Sequence, residues 1–120
     1  MSNIPLVNWP DNEGRYKVLQ FYGPDNAPLL RFSHDVSSGN HSTILLGFAD
    51  EFGVVTTYDD EGIPKLPDDS PYVLCGAGFC NLFPEGRMAI FNGCSSTYDR
   101  GISPKHVKDL ASRVTGWRLF

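Results

Sequence analysis

The stretch that most constrains this chain runs Ile90-Phe91-Asn92-Gly93-Cys94-Ser95-Ser96-Thr97-Tyr98-Asp99-Arg100-Gly101, with Ile102-Ser103-Pro104 after it. A buried strand ends in a small polar loop, and a helix then starts with Ser103 as its cap and Pro104 in its first position. That order sets a sheet beside a helix terminus, where loop N–H groups and the helix dipole point partial positive charge at one spot. Phosphate-like anions are held in such places, so an oxyanion site is one reading. A turn rich in Ser and Gly is also often only a turn.

Upstream, Arg15 to Tyr22 reads Arg-Tyr-Lys-Val-Leu-Gln-Phe-Tyr, the pattern of a strand with at least one buried face. Lys17 inside it either lies on the solvent face with its stem packed, or aims its ammonium into a site beside the sheet. Gly23 to Pro28 is a turn, and Leu29 to Phe32 follows as a hairpin partner, with Arg31 as a second cation in an apolar run. Ser37-Ser38-Gly39-Asn40 form a loop suited to end in an N-cap. Ile44, Leu45, Phe48, Ala49 and Phe52 then recur at helical spacing, which predicts a helix from about His41 to Phe52 stopped by Gly53. Gly47 keeps a strand over 42–48 open as the alternative. In the helical reading His41 sits in the first turn, where the dipole disfavours imidazolium and leaves a ring able to accept a proton near neutral pH.

Val54 to Tyr58 reads as a short strand and Asp59 to Pro71 as an exposed acidic loop, without the alternating ligand spacing of a calcium site. Tyr72 to Cys80 is a buried strand that runs into Gly76-Ala77-Gly78, where something must approach the backbone closely. Pro84-Glu85-Gly86 turns the chain and Met88 to Phe91 returns, which places glycine-rich segments at 76–78 and 93–97 to face one another. Val107, Leu110, Ala111 and Val114 share one face of a helix over 104–114, and Trp117 to Phe120 closes as an edge strand. The expectation is one α+β domain with a mixed sheet of about six strands and two helices.

With 120 residues, 41% of them hydrophobic, the chain has room for one core and one site. Its net charge of −4, with Lys and Arg scattered, argues against a nucleic-acid surface or a polybasic membrane contact. No apolar run approaches the roughly 20 residues of a membrane span, and the first residues lack the regions of a signal peptide. A soluble, cytoplasmic monomer is expected. Cys75, Cys80 and Cys94 are odd in number and lack zinc-site spacing, so they read as reduced thiols with no metal or cofactor.

Taken together, Asp11-Asn12-Glu13-Gly14-Arg15-Tyr16-Lys17-Val18-Leu19, Arg31, His41-Ser42-Thr43-Ile44, Cys75-Gly76-Ala77-Gly78 and Gly93-Cys94-Ser95-Ser96-Thr97-Tyr98, followed by Ile102-Ser103, resemble the phosphohistidine phosphatase (Janus/Ocnus) family. Order and approximate spacing match over nearly the whole chain. The resemblance implies a central sheet flanked by two helices and a metal-free enzyme that removes phosphate from phosphohistidine in proteins. It implies that His41 is catalytic, that Lys17 and Arg31 are phosphate-side cations, and that Gly76 and Gly78 form the glycine turn. Ser95 and Thr97 fall on the loop whose N–H and hydroxyl groups hold phosphate. The family carries an arginine after the glycine turn where this chain has Phe79, and the loop after Tyr98 is shorter here. Arg100 or Arg31 is the candidate to replace the lost cation.

Two other readings compete. Cys94 and Arg100 have five residues between them, the spacing of cysteine-dependent phosphatases, in which a thiolate attacks phosphate cradled by the loop. With Phe79 in place of a site cation, the domain could instead bind phosphohistidine or another anion without cleaving it.

Overall fold

The computed structural model describes residues 5–34 and 40–120. Ser37 to Gly39 of the expected capping loop lie outside the described residues. Five strands form the main sheet: β1 (Gly14–Tyr22), β2 (Pro28–Phe32), β5 (Val73–Phe83), β6 (Met88–Asn92) and β9 (Arg118–Leu119). Their order is β2-β1-β5-β6-β9, antiparallel except for the parallel pair β6 and β9. Two small hairpins, β3 (Thr57–Tyr58) with β4 (Pro64–Lys65) and β7 (Cys94–Ser95) with β8 (Arg100–Gly101), stand apart from it. The fold is thus the expected α+β type, with five strands in the central sheet where about six were expected.

Helix α1 (His41–Phe52) and helix α2 (Pro104–Ala111) cover opposite faces, and the strand alternation accounts for both cores. Tyr16 and Val18 of β1, Leu30, Cys80 and Leu82 pack with Val107 and Leu110 of α2. Leu19 and Phe21, one position out of phase, pack with Leu29, Ala77 and the Ile44, Leu45 and Phe48 side chains of α1. Phe21 and Phe48 stack with centroids 3.7 Å apart. Both helix starts follow the sequence: Asn40 Oδ1 accepts from Thr43 N at 2.9 Å, and Ser103 Oγ accepts from His106 N at 3.3 Å. Gly53 ends α1 in the left-handed conformation, φ 68°. The strand alternative over 42–48 is therefore overturned: the Asn40 cap, the buried apolar face and the Gly53 stop outweigh the roughly 1 kcal/mol that Gly47 costs the helix. Helix α2 ends at Ala111, three residues short of the expected Val114.

The segment expected to be an exposed loop is partly folded back. Asp59 Oδ1 accepts from the N–H groups of Glu61 and Ile63 at 2.9 and 3.0 Å, which closes the β3–β4 hairpin and lets Ile63 and Leu66 pack on the α1 core. The strand expected over 54–58 shrinks to Thr57–Tyr58 for the same reason, since it pairs only with that hairpin arm.

On the α2 face a buried polar bridge joins the sheet to the helix start. Gln20 is fully buried; its Oε1 accepts from Ser103 N at 2.8 Å and its Nε2 donates to Ser103 O at 3.2 Å. His106 is also fully buried, with Nε2 at 2.9 and 3.0 Å from the carbonyls of Phe21 and Leu29. Carbonyls only accept, so Nε2 carries the proton and Nδ1 accepts from Gln20 Nε2 at 3.3 Å. Gly76 makes room for this bridge: a Cβ there would overlap Gln20 Oε1 and lie 2.9 Å from Ser103 N. Gly76→Ala should therefore lower stability by about 2–4 kcal/mol through overpacking and a broken buried hydrogen-bond pair. A denaturant midpoint equal to wild type would contradict this account of the bridge.

Candidate active site around His41

His41 is the first residue of α1 and only 5% exposed. Its Nε2 lies 2.9 Å from the carbonyl oxygen of Gly78, which can only accept, so the neutral ring carries its proton on Nε2 and presents the Nδ1 lone pair. Burial lowers the His41 pKa from the ordinary 6.5, the Gly78 hydrogen bond acts in the opposite sense, and the charge of Lys17 lowers it further. Lys17 thus lies near enough for its charge to act on His41. It is half-buried and faces α1, since its neighbours Tyr16 and Val18 belong to the other core.

Gly78 lets the chain close around this contact. A Cβ on it would lie 2.6 Å from the Asn92 carbonyl and 3.0 Å from the Gly93 carbonyl, so the two glycine-rich segments do face one another. Gly78 acts here through its backbone, as the orienting partner of His41, and Gly76 serves the bridge on the opposite face.

The loop after β6 turns at Gly93, φ 79°, whose missing Cβ clears the Phe79 ring. Ser95 is buried and its Oγ accepts from Tyr98 N at 3.3 Å, which braces the loop from within. Thr97 is half-buried and Ser96 exposed. Tyr98 ties the loop down: its hydroxyl donates to the Pro64 carbonyl at 2.8 Å and hydrogen-bonds with Ser42, the residue after His41. The loop is therefore fastened to the first turn of α1.

Arg31 and Arg100 lie elsewhere. Arg31 spends all five N–H donors: on both Glu51 carboxylate oxygens at 2.8 and 3.0 Å, and on the carbonyls of Leu6, Leu30 and Pro5. Glu51 is ten residues beyond His41 on α1, about 15 Å along the axis, so Arg31 clamps the far end of that helix. Arg100 Nη1 donates to the Leu74 carbonyl at 3.2 Å, four residues before Gly78 on β5, or about 13 Å along the strand. It lines a cleft of about 280 Å³ with Lys65, Tyr72 and Tyr98. Arg31 thus has no donor left for a ligand, and Arg100 reaches Leu74 rather than Gly78.

The cysteine arrangement does not form a cradle. Ser95 pairs with Arg100 and Cys94 with Gly101 in the β7–β8 ladder, so Cys94 and Arg100 project from opposite faces of it. Cys94 is exposed, while burial pushes the thiols of Cys75 and Cys80 up to about 11 and about 12.

Sequence reasoning missed Arg15. Two positions before Lys17 on the same strand face, its guanidinium carbon lies 4.0 Å from the centroid of the Phe79 ring, and the His41 ring meets the same phenyl edge-on at 5.8 Å. The signal was available in the alternation of 15 and 17, but the ring that receives the guanidinium is 64 residues away.

The chain matches no known family model and no curated protein. The geometry of His41 yields its own check. In an NMR titration the His41 ring should titrate below 6.5, and Lys17→Met should move that midpoint upward by removing a like charge. Because the unfolded chain takes up protons first, the contribution of His41 to folding stability is complete above pH 6.5 and falls as pH drops below it. A His41 midpoint at or above 6.5 would contradict the geometry.

Proposed function

We propose that this protein hydrolyses the P–N bond of phosphohistidine in a protein substrate, with His41 as the group that handles the proton. The observation that carries the reading is the buried His41 at a helix start, its Nε2 committed to the Gly78 carbonyl so that Nδ1 carries the lone pair. A ring held in that way is a general base at neutral pH. The likeness of the motifs to the phosphohistidine phosphatase family supports the same assignment.

A phosphoramidate breaks through a loose transition state, so orientation and charge stabilisation supply most of the catalysis. In this reading Lys17 binds a phosphoryl oxygen and the positive end of α1 faces the same group. Nδ1 of His41 takes a proton from the attacking water as the P–O bond forms and the P–N bond breaks, and then passes that proton to the leaving imidazole nitrogen, which departs as a neutral ring. The Gly93–Thr97 loop, pinned by Tyr98, supplies the remaining wall. Gly78 and Gly76 act as supports, and Arg31 and Arg100 hold the fold outside the reacting zone.

Release of inorganic phosphate from phosphoramidate or a phosphohistidine peptide, measured with EDTA present, tests this. His41→Ala should lose at least about 100-fold in turnover with its fold intact, and Cys94→Ser should stay within about twofold of wild type. Loss in Cys94→Ser with activity kept in His41→Ala would transfer the chemistry to the thiol. Saturable phosphate binding with no turnover by wild type would leave a binding module.

A further inference from the structure

The Phe79 ring is a platform for two groups. His41 meets it edge-on at 5.8 Å, and the Arg15 guanidinium lies against it at 4.0 Å. Those two distances hold the guanidinium carbon within about 10 Å of the His41 ring centre. We propose that Arg15, seated on Phe79, is the second phosphoryl-binding cation of this site. The inference rests on the phosphatase reading for its substrate, and on the platform for its geometry.

The way each arginine is held separates Arg15 from Arg31. Stacking uses the face of a guanidinium and leaves its N–H donors pointing outward in the plane, where they match two oxygens of a phosphoryl group. Among the described residues Arg15 makes no ion pair or side-chain hydrogen bond, whereas Arg31 spends all five donors on the fold. Arg15 is exposed and pairs with Asn81, while Lys17 pairs with Phe79 itself, so the two cations flank the ring on one face of the sheet.

Phe79 therefore acts as the positioning residue for a cation carried on another strand. Removing the ring should cost what removing the guanidinium costs, and removing both should cost little more, because Phe79 works through Arg15.

The test reads inorganic phosphate affinity by NMR titration, and phosphoramidate turnover, for wild type, Arg15→Gln, Arg15→Lys, Phe79→Leu and the Arg15→Gln/Phe79→Leu pair. Arg15→Gln should weaken phosphate binding and raise KM by about 10-fold or more, with kcat changed less and thermal stability near wild type. Arg15→Lys should recover part of the loss, and the double variant should match Arg15→Gln. Unchanged phosphate affinity in Arg15→Gln, or no phosphate binding by wild type, would overturn the inference. Arg15-dependent binding by a wild type that turns nothing over would uphold it while the phosphatase reading fails.

Discussion

The site depends on one backbone atom, the carbonyl oxygen of Gly78. Because it can only accept, it assigns the His41 proton to Nε2 and exposes Nδ1 as a lone pair. Gly78 also has to lack a side chain, since the Asn92 and Gly93 carbonyls occupy the space a Cβ would need. A single glycine thus brings the β6 exit loop against β5 and aims the helix-start histidine. Tyr98 completes the closure by joining that loop to Ser42 and Pro64.

The two faces of the sheet use histidine in opposite ways. Burial lowers the pKa of both His41 and His106, so pKa alone does not separate them. Saturation does. His106 commits Nε2 to two carbonyls and Nδ1 to Gln20, which leaves it nothing for chemistry. The same test sorts the arginines of the α1 face, with Arg31 locked to Glu51 and carbonyls and Arg15 laid on a ring that takes no donor. The fully satisfied buried groups, Gln20, His106 and Arg31, hold the architecture.

Helix α1 was legible to the residue because three independent signals agree there: apolar spacing, Asn40 as cap and Gly53 as stop. Strands β1, β2, β5 and β6 were legible within a few residues from their apolar runs. The hairpin at 57–65 was not, because Asp59 closes it with one side chain on two backbone donors and its residues are polar. Of the candidate site residues, His41, Lys17 and the loop that packs against Gly78 and Phe79 were named from the sequence, whereas the ways the arginines are held were not. Arg31 looked like a candidate because its partner Glu51 lies twenty residues on, and Phe79 looked like a loss because the guanidinium resting on it comes from another strand. Pairings between distant positions leave no trace in local pattern.

The most direct measurement is the tautomer of His41, read from a long-range nitrogen–proton correlation spectrum of uniformly labelled protein near pH 8. The account predicts a protonated Nε2 and a bare, pyridine-like Nδ1 whose resonance shifts when inorganic phosphate is added. A His41 ring protonated on Nδ1 would leave the Gly78 carbonyl without its donor and contradict the arrangement on which the whole site is built.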